Sequence, residues 1–208
     1  MEIKLVPLRC PECYEKIPAG ERENVYFCPS CGKGFEVEKG EWREIEVVYA
    51  SSREKPFVCL PFWWIEYSIK AKEKKEEVEA FFKETTPFLF NALKEKKVKV
   101  WIPAFGTTNR YLLLDDIGLH FTLSPPEIKP GSPFPMRYGK YPLREAVEIG
   151  KLILAGICGD FTVFERRLDV EFLNGKIVGI PFAREKGILR ELLTGKRMFA
   201  DAVEGVSL

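Results

Sequence analysis

The stretch "RCPECYEKIPAGERENVYFCPSCGKGF", residues 9–35, carries two Cys-Pro-x-Cys pairs with fourteen residues between them. How these four cysteines are used determines the fold of the N-terminal part of the chain. Cys10, Cys13, Cys28 and Cys31 form the pattern C-x2-C-x14-C-x2-C. Two residues between paired cysteines let the chain curl until both sulfurs and the neighbouring backbone N–H groups face one point. Two such turns brought together give a tetrahedron of thiolates, which suits Zn²⁺ at ~2.3 Å per Zn–S bond. Iron held by four thiolates asks for the same spacing and stands as the alternative metal. A redox pair needs a single C-x2-C opening a helix in a βαβ setting, whereas here two pairs lie among strand signals. With all four positions filled by cysteine, no coordination position is left for water, which favours a structural over a catalytic centre.

The surroundings agree with that reading. "ENVYFCPSCGKGFEVEKGEWREIEVVYA" (23–50) reads as short strands broken by turns, with Phe27 and Phe35 flanking the second pair and Gly32 directly after Cys31. On these residues the segment 3–50 resembles the zinc ribbon, or rubredoxin-like, family, and the CPxCG of the second knuckle is the most specific part of the likeness. The resemblance implies two metal-binding knuckles closing a small antiparallel sheet. The first knuckle departs from the pattern, with Tyr14 where Gly32 stands in the second.

The chain has 208 residues, 46% hydrophobic and 30% charged, which suits one ordinary domain with a small appendage. Its net charge of +1 draws it neither to nucleic acid nor to an anionic membrane. The first residues lack a basic start followed by an apolar run, and the longest apolar run, "FVCLPFWWI" (57–65), is far short of the ~20 residues that cross a bilayer. A cytoplasmic protein is the expectation. The absence of Gln, the presence of only four Asn and the wealth of Lys and Glu point to a thermophilic source.

Nucleic-acid binding by the ribbon is disfavoured by charge. Residues 1–50 hold seven basic side chains against ten acidic ones, and phosphate binding depends on Lys and Arg contacts. A staple or a protein-docking surface fits better.

Beyond the ribbon, "VCLPF" (58–62), "VWIPAF" (100–105) and "VGIPF" (178–182) look alike. Proline gives no N–H to a ladder, so each is expected at a strand end, an edge or a bulge. The segment 43–50 is a candidate partner strand before the first of them. Asn174-Gly175 between alternating runs predicts a hairpin, and the recurrence suggests a duplicated β-hairpin. Residues 72–97 read as helix interrupted at Pro87, 107–121 as a shorter helix capped by Thr108 or Asn109, 142–158 as the best amphipathic helix, and 188–203 as a final helix broken at Gly195. Residues 124–142 hold six of the fifteen prolines and are read as a linker or an ordered surface loop.

Signals for catalysis are weak. The one histidine, His120, would have to serve any Cys-His chemistry with Cys59 or Cys158, both in apolar surroundings. Adjacent Asp115 and Asp116 point ~100° apart on a helix and make a poor carboxylate pair. No phosphate loop of the form G-x4-G-K-[ST] is present. In "PFWWIEY" (61–67) Phe62, Trp64 and Glu66 share one strand face and Trp63, Ile65 and Tyr67 the other. Both faces are bulky, so burial on both sides competes with a binding surface.

The sequence therefore predicts an α+β protein: a zinc ribbon over 1–50 and a mixed domain of antiparallel strands and helices over 51–208. The function it favours is a non-enzymatic protein-interaction or assembly module. Two rivals stand beside it. One is a nucleic-acid-associated factor of transcription or translation using Arg184, Lys186, Arg190, Lys196 and Arg197. The other is an enzyme or small-molecule binder with a pocket beside Trp63 or Trp64.

Overall fold

In the computed structural model of the protein, residues 9–17, 23–38, 40–107 and 117–204 are described. Within them the fold is α+β, with two sheets and five helices. The first sheet is a three-stranded antiparallel meander of β1 (Val25–Phe27), β2 (Gly34–Glu38) and β3 (Glu41–Ile45), in spatial order β1-β2-β3.

The second sheet is larger. Its path runs β6-β5-β7-β8-β9, from β6 (Lys97–Pro103) through the long strands β5 (Val58–Ala71) and β7 (Leu168–Glu185) to β8 (Ile188–Glu191) and β9 (Arg197–Phe199). These strands are antiparallel. A short strand β4 (Val47–Tyr49) adds one parallel pairing, on β7. The segment 43–50 is thus divided between the two sheets and does not pair with β5. The ribbon meander and the large sheet are therefore joined by a single residue, Glu46, between β3 and β4.

Alternation along the strands builds a core on each face of the large sheet. One face gathers Trp63, Ile65, Tyr67 and Ile69 of β5 with Val98, Val100 and Ile102 of β6. Helices α1 (Lys75–Thr85), α2 (Pro87–Glu95), α4 (Leu143–Cys158) and α5 (Phe161–Arg167) contribute to this core. The other face gathers Leu60, Phe62, Val178, Ile180 and Phe182 under α3 (Ile117–Leu123) and the C-terminal residues Met198, Ala200 and Val203. The aromatic stretch 61–67 is thus core on both sides as far as Phe62 and Trp63, and Trp64 is half-buried.

Pro87 divides the helical segment where expected, opening α2 at its first turn, where its missing N–H costs nothing. Helix α4 runs over the predicted span. Its middle is fitted to β5: a Cβ on Gly150 would lie 2.1 Å from the Tyr67 hydroxyl, which donates to the Val147 carbonyl at 2.7 Å.

Two local expectations are corrected. Asn174-Gly175 does not turn the chain. β7 runs unbroken through it, because β5 is long enough to pair it from Leu168 to Phe182. The register shifts between Glu66 and Tyr67, leaving Leu173 as an extra residue, so the Asn-Gly pair sits at a bulge. The hairpin lies instead at Lys186-Gly187, where both residues have positive φ (44° and 84°), as a two-residue turn of the I′ kind demands. Residues 188–203 are accordingly not a helix but β8, β9 and a short 3-10 turn (Ala200–Ala202), with the chain bending at Gly195.

The prolines differ from expectation as well. Pro103 ends β6, but Pro61 and Pro181 lie inside β5 and β7. Pro61 turns its carbonyl to the Ala104 N–H, and Pro181 turns its own to the Leu192 N–H. In a strand, N and C=O of one residue face the same edge, so each missing N–H points away from the β5–β7 ladder and costs it no hydrogen bond.

Of the helix predicted over 107–121, the described part is α3, Ile117–Leu123, while Thr107 is not helical; the intervening residues, with the proposed caps Thr108 and Asn109, lie outside the described residues. The proline-rich segment 124–142 is an ordered strap without regular structure. It bridges to the ribbon at Val25–Gly139, to the chain after β4 at Ala50–Pro130 and to β5 at Cys59–Met136.

Candidate metal centre

The four cysteines meet. Their sulfurs all lie within 4.8 Å of one another, with Cys10 Sγ 3.7 Å from Cys31 and Cys13 Sγ 3.4 Å from Cys28. A tetrahedron with ~2.3 Å Zn–S bonds has edges of ~3.8 Å, so the donor set fits one tetrahedral thiolate-bound ion. The separations are far beyond the ~2.05 Å of a disulfide. Cys10 and Cys28 are buried while Cys13 and Cys31 are exposed, one of each kind from each knuckle.

The two knuckles are built alike. Cys10 N–H donates to the Glu15 carbonyl at 2.8 Å and Tyr14 N–H to the Cys10 carbonyl at 2.9 Å. Cys28 N–H donates to the Lys33 carbonyl at 2.8 Å and Gly32 N–H to the Cys28 carbonyl at 2.9 Å. Tyr14 and Gly32 hold the same place, and both have positive φ, 61° and 73°. Glycine occupies that region without penalty, whereas a Cβ-bearing residue pays roughly 1–2 kcal/mol. The Tyr14 side chain is nonetheless 73% exposed, so among the described residues its ring finds little packing to offset that strain.

Burial alone pushes the Cys28 thiol up, but the backbone N–H groups of Cys31 and Ser30, with the Cys13 and Cys31 thiols, outweigh it and bring it down to about 7. Burial pushes the Cys31 thiol up to about 12, aided by its three sulfur neighbours and opposed by the Lys33 N–H. Four crowded thiols cannot all ionise unless a cation neutralises them. Backbone N–H groups aimed at sulfur are the supports a metal thiolate needs.

Beneath the cluster, Ile17, Tyr26 and Phe35 form a small core, with Trp42 stacked edge-on to Phe35 at 5.6 Å. Val25 and Phe27 of β1 point the other way, into the core of the large sheet. Glu36 of β2 is buried, and its carboxylate accepts the N–H of Leu143 at 3.1 Å. Tyr49 donates its hydroxyl to the Gly32 carbonyl at 3.1 Å. The knuckles are thus tied to the rest of the protein from both sides.

The remaining candidates are dispersed. Cys59 is buried in β5, where burial pushes its thiol up to about 12; Cys158 ends α4; His120 lies on α3 with its ring 5.9 Å from Phe121. Asp115 and Asp116 lie outside the described residues. Trp63 is fully buried and donates its indole N–H to the Tyr141 carbonyl at 2.8 Å. Trp64 carries the Lys99 and Lys176 ammoniums at 5.3 and 5.1 Å from its ring. Of the C-terminal cations, Arg190 pairs with Glu54 and Glu185, Arg197 pairs with Glu185, and Arg184 stands over Phe57. No helix among the described residues is long and apolar enough to cross a membrane.

Sequence reasoning missed Glu36 and the strap contacts, whose partners lie 77 to 114 positions away along the chain. Comparison with protein-family models, with curated proteins and with solved structures found no match to this chain.

Proposed function

We propose that Cys10, Cys13, Cys28 and Cys31 hold one zinc ion, with iron as the alternative, in a closed structural centre. We read the chain as a non-enzymatic protein-interaction or assembly module, with residues 1–50 as the ribbon and 51–208 as the mixed unit that carries it. When bound, the metal supplies the cross-link that a sheet of this size cannot draw from its own core.

The observation that carries the interaction reading is Tyr14. A large aromatic residue is held in a backbone region that glycine would fill at less cost, on the tip of a knuckle, and is left 73% exposed. Strain that the fold itself does not use points to a use outside the fold, and exposed tyrosines are favoured anchors in protein interfaces. The pairing of Arg190 and Arg197 with carboxylates leaves the nucleic-acid reading weaker than the protein one.

Tyr14→Gly tests the reading. The variant retains its metal and melts no lower than the parent, yet loses the proteins that the parent captures specifically from a lysate of its native source. Equal capture by both proteins, or no specific capture by the parent, would count against an interaction role for this tip.

A further inference from the structure

The loop 50–57, between β4 and β5, takes no part in the metal centre. It is fixed against the strap: Ser51 N–H donates to the Lys129 carbonyl at 2.8 Å, and Gly131 N–H donates to the Tyr49 carbonyl at 2.7 Å. Between loop and strap opens a cavity of about 380 Å³, whose polar lining includes Ser51, Ser52, Arg53, Lys55 and Ser132. That volume lies within the range of small-ligand sites, and the cleft is open to solvent, with Arg53 and Lys55 exposed on its rim.

The charged residues of this lining are two cations, Arg53 and Lys55, and one carboxylate, Glu54. Among the described residues, neither Arg53 nor Lys55 has a carboxylate partner, and the hydroxyls of Ser51 and Ser132 have no hydrogen-bond partner. The one acidic residue of the lining, Glu54, has its carboxylate on the Arg190 guanidinium at 2.9 Å. Cys59 also lines the cavity. Burial pushes its thiol up to about 12, so it stays neutral and brings no opposing charge.

Two unclaimed cations and two unclaimed hydroxyls beside one cavity match an oxyanion with three or more acceptor oxygens better than a carboxylate with two. Arginine's fork of donors suits phosphate bidentately, and lysine adds a point charge. We infer that this cavity binds the phosphate group of a small phosphorylated ligand, with Arg53 and Lys55 supplying the charge and Ser51 and Ser132 the neutral donors.

The test uses the full, metal-loaded chain titrated with inorganic phosphate and with pyrophosphate, against chloride at matched ionic strength. Calorimetry reads affinity, and amide spectra by NMR read location. Saturable binding is expected, weakened about tenfold or more by Arg53→Ala or Lys55→Ala and unchanged by Lys83→Ala on α1. In the unmodified protein, the largest shifts are expected at the amides of Ser51, Arg53 and Ser132, a readout that stands even if a variant fails to fold. Absence of saturable binding, equal binding by parent and variants, or shifts concentrated elsewhere would overturn the inference.

Discussion

The carboxylate of Glu36, on the central strand of the ribbon, caps the helix that begins at Leu143, accepting its backbone N–H at 3.1 Å while Arg43 stands 3.6 Å away. A negative charge at a helix N-terminus meets both an orphan donor and the positive end of the helix dipole. The helix offers no capping side chain of its own, since Pro142 precedes it. The three-stranded sheet and the helix packed on the large sheet are therefore joined by this contact.

Glu36→Ala is expected to destabilise the metal-loaded protein by about 0.5–2 kcal/mol, the range for a lost helix cap. Glu36→Gln retains an acceptor but not the charge, and is expected to cost about half as much or less. Chemical denaturation followed by far-ultraviolet circular dichroism measures both.

Removing the metal is expected to loosen more than the knuckles. Val25 and Phe27 belong to the core over the large sheet. If the ribbon melts, exposing these two side chains costs the whole protein about 3–6 kcal/mol. Chelation should lower the melting temperature of the helical signal at 222 nm together with that of the ribbon. An unchanged helical transition after complete metal removal would show that the ribbon is energetically separate.

Gly150→Ala would drive a methyl group into the Tyr67 hydroxyl, at 2.1 Å before any relaxation, in a fully buried site. Overpacking of this kind costs about 1–3 kcal/mol. Tyr67→Phe alone removes one hydrogen bond, to Val147, at about 1 kcal/mol. The double variant is expected to be more stable than the sum of the two single losses predicts, because the phenylalanine no longer carries the atom that clashes. Rescue remains partial, since the ring carbon Cζ still lies 3.0 Å from the added methyl. Additive losses in a double-mutant cycle would refute the contact.

Alkali should destabilise the fold. Burial pushes the Cys59 thiol from 9.0 up to about 12 and the Tyr67 hydroxyl upward as well, with the Glu148 carboxylate adding to the latter. Both groups are neutral in the folded state at a pH where the unfolded chain ionises them. The stability they contribute is complete below the unfolded values and is lost as pH climbs towards the folded ones. For Cys59 that window is pH 9 to 12. Cys59→Ala should flatten the loss of stability between pH 9 and 10, and an identical pH profile would contradict this.

Much of the fold could be read from sequence where a signal is local. The cysteine spacing, Pro87 between two helices and the apolar period of 143–158 each name their own structure. Asn174-Gly175 misled because a turn signal weighs little against fourteen residues of β5 waiting to pair. The real hairpin at Lys186-Gly187 lacks the Asn or Asp that makes a turn legible, and Lys186 takes a left-handed conformation that its side chain does not advertise. Of the metal centre, the ligand set was visible at once. Its anchoring was not, because Glu36 and Leu143 meet only after the strap has carried the chain back to the ribbon.

The sulfurs of Cys10, Cys13, Cys28 and Cys31, all within 4.8 Å of one another, are placed to converge on one ion. Metal analysis of the native protein, with X-ray absorption at the edge of the metal found, tests it most directly. One zinc or iron per chain surrounded by four sulfurs at ~2.3 Å is the predicted result. Native, folded protein that carries no metal and has all four thiols free to react, or a first shell containing nitrogen or oxygen, would contradict it.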